Sequence, residues 1–481
     1  MKRRLLFRIL ILLLGIVSLA MLPSFFIALF EADELMIRSF LYPIGTALSC
    51  ALIAMFLGRK VPVRFSPGDG FLLVSLAWLA TSIFGSLPYY ISGLVGDPAS
   101  AIFESVSGFT TTGATILRNV EALPRSLLFW RAMTHWLGGM GIVVLTVALL
   151  PLLGVGGFQL LKAEAPGPEK DKVAPKITET AKILWLIYLG LTATQVALLM
   201  LGGLDWFDAT THAFATMATG GFGTKNASVG YYNSAWVDAV CTTFMVLAGL
   251  NFSLYYRLFI GKGKDLWHNS ELKAYLGIFF VASLAITLVL IPSYGSFGTA
   301  FRYASFQVSS ILTTTGFATA DFDLWPEFAK MVLLILMFIG GCSGSTGGGI
   351  KVVRHVVLFK QAGNEMRRLL YPRGVFSVRL NGKVGRKDVV YGVAGFVFLY
   401  LSLVLVTALV VASSGSDLLT SFSAALATVG NIGPGFALVG PSLNYADFPD
   451  YVKWFFSFSM LAGRLELWTV FVLFKREFWR N

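Results

Sequence analysis

The 481-residue sequence is short of charge. Asp, Glu, Lys and Arg make up only 13% of it, against 56% hydrophobic residues, where a soluble globular chain carries about 25% charged. Mean hydropathy is +0.72. From Val389 to Ser416 no charge interrupts the run before Asp417. About 20 apolar residues cross a bilayer as a helix, so the shortage excludes a soluble globular protein and indicates an integral, polytopic membrane protein. Cysteine is scarce as well. Cys50, Cys241 and Cys342 lie in or beside apolar segments, which excludes a disulfide framework or a thiolate metal set and leaves buried small side chains. Four histidines, His135, His212, His268 and His355, are scattered without ligand spacing. No nucleophile–base or metal constellation accompanies them, so the sequence does not describe an enzyme.

The charge that is present is sorted along the chain. Basic clusters at Lys2–Arg4, Arg59–Arg64, Lys170–Lys182, Arg257–Lys264, Lys351–Arg386 and Lys475–Arg480 alternate with acidic ones at Glu31–Glu34, Asp205–Asp208, Asp321–Glu327 and Asp447–Asp450. Basic loops stay in the cytoplasm, which sets both termini there. The net charge of +12 therefore reflects topology, not nucleic-acid binding. The stretch Arg367–Lys387 suits anionic membrane lipids or a docked partner. Met1-Lys-Arg-Arg before an apolar run imitates a secretory signal. No Ala-x-Ala-like site closes that run, and Pro23 and Phe25–Phe26 continue it, so it reads as the first span.

Ten spans are expected: Leu5–Leu29, Phe40–Leu57, Gly70–Ile91, Leu127–Leu150, Ile183–Leu201, Val237–Ile260, Ala274–Ile291, Phe328–Phe359, Val389–Ala412 and Tyr451–Phe474. Ala163–Lys182, rich in Pro, Glu and Lys, reads as a cytoplasmic connector. Four further apolar segments, Ala99–Ser107, Phe207–Met217, Ser296–Leu312 and Leu418–Ala427, are too short to cross at 1.5 Å per residue. Each starts on the acidic side and ends in a Thr/Gly-rich loop, as a re-entrant helix would.

Those endings repeat: "FTTTGAT" (Phe109–Thr115), "MATGGFGT" (Met217–Thr224), "LTTTGFAT" (Leu312–Thr319) and "ATVGNIGPG" (Ala427–Gly435). Aligning them places Gly113, Gly221, Gly316 and Gly430 in register, spaced by roughly 95 to 115 residues. The fold class expected is all-α: four pseudo-symmetric span–loop–span repeats around a central pore, plus two extra N-terminal transmembrane helices. The divisions are 1–66 for the extra pair, then repeats at 67–160, 161–265, 266–375 and 376–481.

Four such loops meeting on an axis would form a ring of oxygens. Glycine frees the backbone to aim successive carbonyls one way, and carbonyl rings replace the water shell of a monovalent cation. The candidate filter is Thr111, Thr112 and Gly113; Thr219, Gly220 and Gly221; Thr314, Thr315 and Gly316; and Thr428, Val429, Gly430 and Asn431. None of the loops carries Asp or Glu, which disfavours a divalent-cation site. The plainer alternative is that small residues ease helix packing; four copies in register, each after a half-length helix, favour the ring.

The eighth span is interrupted by "GGCSGSTGGGIK", Gly340–Lys351. It is no Walker loop, because Ile350 precedes Lys351 and no Ser or Thr follows. Its six glycines disfavour helix by about 1 kcal/mol each relative to alanine. The third repeat would put the loop beneath the filter, where it obstructs the pore. Arg464 lies within the last expected span, and a charge at that depth normally faces the interior with a partner. Glu466, two residues on, points to a different face. The repeat plan places the guanidinium near the glycine-rich loop and its freed carbonyls. Arg131 and His135 receive no role.

The fourfold plan, the glycine in each loop and the run "FWRAMTHWLGGMGIVVL" (Phe129–Leu145) resemble the Trk/Ktr/HKT superfamily of potassium transporters, nearest its bacterial TrkH/TrkG branch. The resemblance implies potassium as the transported ion and a place in the bacterial inner membrane. A serine at the first filter glycine goes with sodium permeation in that family; all four positions are glycine here, which implies potassium preference. It also implies a gating role for Gly341, Ser343, Gly344, Ser345, Thr346, Gly347, Gly348 and Gly349, with Arg464 holding the loop and hindering ions. By resemblance alone the chain would form a homodimer and bind a ring of cytoplasmic nucleotide-binding subunits. The competing reading is a proton- or sodium-coupled secondary transporter, whose repeats are usually inverted, whereas these four all begin on the same side.

Overall fold

The computed structural model describes residues 2–56, 67–141, 177–261, 263–381, 383–384 and 387–480. The expected all-helical membrane architecture is what forms; among the described residues the strands are a two-residue pair, Arg379–Leu380 with Lys383–Val384. Among the described residues, six helical segments are long and apolar enough to cross a bilayer: Arg4–Phe30, Glu34–Phe56, Gly68–Ile91, Glu179–Leu201, Ser270–Tyr294 and Asp388–Ala412. Their outward faces carry side chains such as Phe7, Val281 and Leu409, while Trp78, Trp130, Tyr275 and Tyr400 are fully buried. That distribution suits a lipid solvent, which stabilises apolar exteriors.

Four short helices stop partway: Pro98–Phe109, Trp206–Met217, Phe297–Leu312 and Leu418–Val429. Each is started by a side-chain cap. Asp97 accepts from Ser100 N at 2.7 Å, Asp205 from Asp208 N at 2.9 Å, Ser296 from Thr299 N at 3.2 Å, and Asp417 from Leu419 N and Thr420 N at 3.1 and 3.2 Å. These oxygens satisfy orphan amides at the helix start.

Two of the helices after these loops differ from expectation. The sixth expected span is not straight: Ala235–Ala248 and Phe252–Phe259 meet at 91°. The tenth bends by 110° between Asp450–Arg464 and Trp468–Phe474, with Glu466 and Leu467 both in the left-handed region at φ 54° and 55°. Arg464 therefore ends a helix instead of sitting mid-span. The eighth is broken as expected, into Glu327–Leu336 and Val352–Leu370. In the fourth, Arg125–Gly139 is helical, and residues 142–150 lie outside the described part, as do 57–66 and the connector up to 176.

Candidate functional site

The four loops share one backbone trace. After each short helix comes a residue at positive φ, namely Thr111 (55°), Thr219 (56°), Thr314 (61°) and Asn431 (55°), and two places later a glycine at positive φ: Gly113 (79°), Gly221 (81°), Gly316 (83°) and Gly433 (96°). The intervening amide bonds back five residues in every case: Thr112 to Ser107 O, Gly220 to Ala215 O, Thr315 to Ser310 O and Ile432 to Ala427 O, at 2.8–2.9 Å.

This corrects the fourth register by three residues. Gly430 caps its helix at φ −79°, the place of Thr110 and Thr313, and the residue matching Gly113 is Gly433. Val429 still belongs to the helix, and Ile432 takes the position of Thr315. Thr428 also lies within the helix, its hydroxyl donating to Ala424 O at 2.7 Å. The reason is conformational. Three residues must separate the helix end from the glycine, and Asn at the second of them tolerates the left-handed region.

The loops close a circle. A Cβ built on Gly113 would lie 2.1 Å from Gly220 O, one on Gly221 2.1 Å from Thr315 O, one on Gly316 2.2 Å from Ile432 O, and one on Gly433 2.6 Å from Thr112 O. Each glycine thus admits the carbonyl of the next loop, and the fourth returns to the first. All four glycines line one cavity, together with Arg131, Lys225 and Tyr445. On the other side of the glycines, Thr111, Thr219, Thr314 and Asn431 are buried. Thr111 Oγ1 and Asn431 Oδ1 have no hydrogen-bond partner among the described residues, so polar oxygens gather there without internal satisfaction. The Asn431 amide donates to Thr112 Oγ1 and Met460 O, each at 2.9 Å.

Each short helix or its neighbour braces the loop from behind. Glu104, fully buried, accepts from Ile116 N at 3.0 Å and Thr115 Oγ1 at 3.0–3.1 Å. Arg131 donates to Glu104 at 2.6 Å and to Gly223 O at 3.1 Å, with its guanidinium 3.6 Å from the Phe222 ring. Loops one and two are thereby joined. His135 Nε2 accepts from Phe222 N at 3.3 Å. Ser310 Oγ donates to Phe317 O at 2.6 Å, and Ser423 Oγ exchanges bonds with Phe436 N and O at 3.0 and 3.2 Å. Sequence reasoning gave Arg131 and His135 no role and passed over Glu104, although a lone acid inside an apolar half-length helix is a visible signal.

The glycine-rich segment crosses beneath this circle. Gly348 N donates to Thr314 Oγ1 at 2.7 Å, and Cβ atoms on Gly347 and Gly348 would lie 3.0 Å from Thr313 O and 2.4 Å from Gly430 O. Gly341 and Gly349 lie against neighbours that leave little room: a Cβ on Gly341 would be 2.7 Å from Ser345 Oγ, and one on Gly349 3.2 Å from Gly340 Cα. Cys342 N donates to Gly249 O at 2.8 Å, Gly344 O accepts from Phe252 N at 3.0 Å, and Thr346 Oγ1 donates to Ala248 O at 3.2 Å. Ser343 N donates to Glu271 at 2.6 Å, and the Ser345 hydroxyl to Cys342 O at 2.6 Å. Arg464 fans across it, Nη1 to Thr346 O at 2.7 Å and Nη2 to Gly138 O and Gly139 O at 2.7 and 3.0 Å. Glu466 pairs with Arg354, whose guanidinium is 3.8 Å from the Phe396 ring. The buried Lys351 ammonium donates back to Gly347 O. Among the described residues no group of three His, Cys, Asp or Glu could hold a metal ion.

A family model described as "TrkH: Cation transport protein" matches residues 45–297 and 294–480. The chain is 41% identical over 486 residues to the Trk system potassium uptake protein TrkH of Halomonas elongata, covering all of both chains. It is 41% identical over 449 residues to the Escherichia coli protein of that name, 92% of each. The crystal structure of the potassium transporter TrkH from Vibrio parahaemolyticus superposes with a TM-score of 0.89 at 39% identity over the full length of both.

Proposed function

The chain belongs to the TrkH family of cation transport proteins, and we propose that it takes up potassium across the bacterial inner membrane through the ring of four loops. The observation carrying this reading is the closed circle in which Gly113, Gly221, Gly316 and Gly433 each admit a neighbouring loop's carbonyl. Relatives named for potassium uptake support the choice of ion. The carbonyls of Thr112, Gly220, Thr315 and Ile432 replace first-shell water of a monovalent cation. Uncharged oxygens strip potassium at lower cost than a smaller, more strongly hydrated ion. Thr111, Thr219, Thr314 and Asn431 supply side-chain oxygens at the inner edge.

Below them the segment Gly341–Gly349 and Arg464 form the gate. The guanidinium carries positive charge to carbonyls on opposite sides of the path, which repels a cation and ties the obstruction in place. Conduction requires both to move. The chain is organised as the extra pair 1–66 and repeats 67–160, 161–265, 266–375 and 376–481, with both termini cytoplasmic. It transports and does not catalyse, it works as a homodimer, and a cytoplasmic nucleotide-binding ring supplies the signal that moves the gate.

Rubidium uptake into liposomes holding the purified protein tests the filter. Potassium should inhibit strongly and sodium weakly. Gly316→Ser, which forces a side chain at φ 83° toward Ile432 O, should erase the difference. An unaltered potassium-over-sodium preference in that variant would overturn the reading.

A further inference from the structure

Glu271 stands in the first turn of the Ser270–Tyr294 helix and is buried. One oxygen, Oε1, accepts from Ser343 N at 2.6 Å and from Val353 N at 3.1 Å. Those two amides flank the glycine-rich loop, one near its start and the other at the beginning of the helix that follows. A single carboxylate oxygen therefore sets the distance between the loop's two ends. Charge-assisted bonds to backbone amides are about twice as strong as neutral ones, so the carboxylate holds the loop more firmly than a neutral amide–carbonyl bond does.

The neighbouring residue links the tether to the cytoplasm. Ser270 N donates to Asn381 Oδ1 at 2.8 Å, and Asn381, at φ 49°, is in the turn of the Arg379–Val384 hairpin. The same hairpin accepts from Lys360 Nζ at Arg379 O, 2.7 Å, and Val378 and Leu380 pack with Val353, Val357 and Val393. It is thus fastened to both helices that Glu271 bridges. Val353 belongs to that apolar cluster and also donates to Glu271, so a displacement of the hairpin reaches the loop through rigid helix and packed side chains.

We propose that Glu271 is the positioning residue that holds the glycine-rich loop across the pore, and that the 379–384 hairpin is the cytoplasmic lever through which it is released. This rests on the reading of Gly341–Gly349 as the gate. Force or binding at the hairpin shifts Ser270, moves the adjacent carboxylate, and lengthens or breaks one of its two bonds. The loop then loses its fixed span while the filter above keeps its own bonds.

The test is rubidium flux through purified full-length protein in liposomes, with potassium and sodium as competitors. Four variants are compared with wild type: Glu271→Ala, Glu271→Gln, Asn381→Gly and a deletion of Gly344–Gly348. Glu271→Ala removes both bonds and should raise basal flux roughly tenfold, with potassium-over-sodium preference unchanged. Glu271→Gln keeps an Oε1 acceptor and should rise less than half as far on a logarithmic scale. Asn381→Gly relieves the positive φ, loses the bond to Ser270 and should raise flux a fewfold. If the loop deletion raises flux but Glu271→Ala and Asn381→Gly do not, the tether is refuted and the gate stands. If the deletion also leaves flux unchanged, the gate reading fails and takes this inference with it. Should Glu271→Ala not fold, the exposed Asn381 variant decides between the same outcomes.

Discussion

Two layers of the same fourfold plan have diverged to different degrees. The upper layer, the four loops, keeps one backbone trace through three different sequences: Thr-Thr-Thr-Gly in the first and third copies, Ala-Thr-Gly-Gly in the second and Gly-Asn-Ile-Gly in the fourth. In the lower layer, where the following helix breaks, every copy is different. The first ends at Gly139, the second bends by 91°, the third opens into the glycine-rich loop, and the fourth bends by 110° through two left-handed non-glycine residues. Those two residues store about 1–2 kcal/mol each, and the bonds of Arg464 and the Arg354–Glu466 pair offset it. If the ring selects through main-chain oxygens, as proposed, sequence can drift there while geometry is held. The proposed obstruction needs one copy to cross and the others to yield, which fits four unlike copies in the lower layer.

The comparison breaks most completely at a filter glycine. Gly221→Ala should abolish discrimination between potassium and sodium in the uptake assay, because its Cβ would sit 2.1 Å from Thr315 O at φ 81°. Next in size is the brace behind the ring. Glu104→Ala leaves the buried Arg131 charge without its carboxylate, at a cost of about 3–5 kcal/mol, and should lower the melting temperature of the purified protein markedly. Arg464→Ala removes three carbonyl bonds and should raise basal rubidium flux roughly tenfold with unchanged ion preference.

The corrected register is sharpened by a pair of substitutions. Gly433→Ala should impair selectivity as strongly as changes at the other three filter glycines, since it combines φ 96° with a Cβ 2.6 Å from Thr112 O. Gly430→Ala, at φ −79°, should cost stability and leave ion preference largely intact. The smallest effect is at a cap. The Thr420 hydroxyl and the Thr420 and Leu419 amides hold the Asp417 carboxyl below its usual range. A depressed carboxylate contributes stability above its unfolded pKa of about 3.9 and loses it as pH falls through the folded value. Asp417→Ala should therefore cost about 1 kcal/mol at neutral pH, and thermal melts of variant and wild type should converge in strong acid.

Much of this was legible in the residues. The short helices announced themselves by half-length apolar runs behind Asp97, Asp205, Ser296 and Asp417, and the broken eighth span by its six glycines. The fourth register is masked in the sequence because "TVG" mimics "TTG", whereas the backbone follows a different rule. A residue able to adopt positive φ must precede the glycine by two, as Thr111, Thr219 and Thr314 do, and Asn431 with Gly433 satisfies that spacing. The bend after Arg464 was hidden because neither glycine nor proline marks residues 465–467. Long-range bonds impose it. The same holds for Glu271, which is an ordinary first-turn acid until Ser343 and Val353, 72 and 82 residues away, arrive at its carboxylate.

The most direct test of a selecting upper layer and a gating lower one is to measure rubidium flux and the potassium-to-sodium inhibition ratio together, in the same liposomes, for Gly433→Ala and Arg464→Ala. The account predicts separation: the glycine variant loses the ratio, and the arginine variant raises the flux with the ratio intact. If Arg464→Ala destroys the ratio, or Gly433→Ala leaves it untouched, selection and gating do not reside in separate layers and the account is wrong.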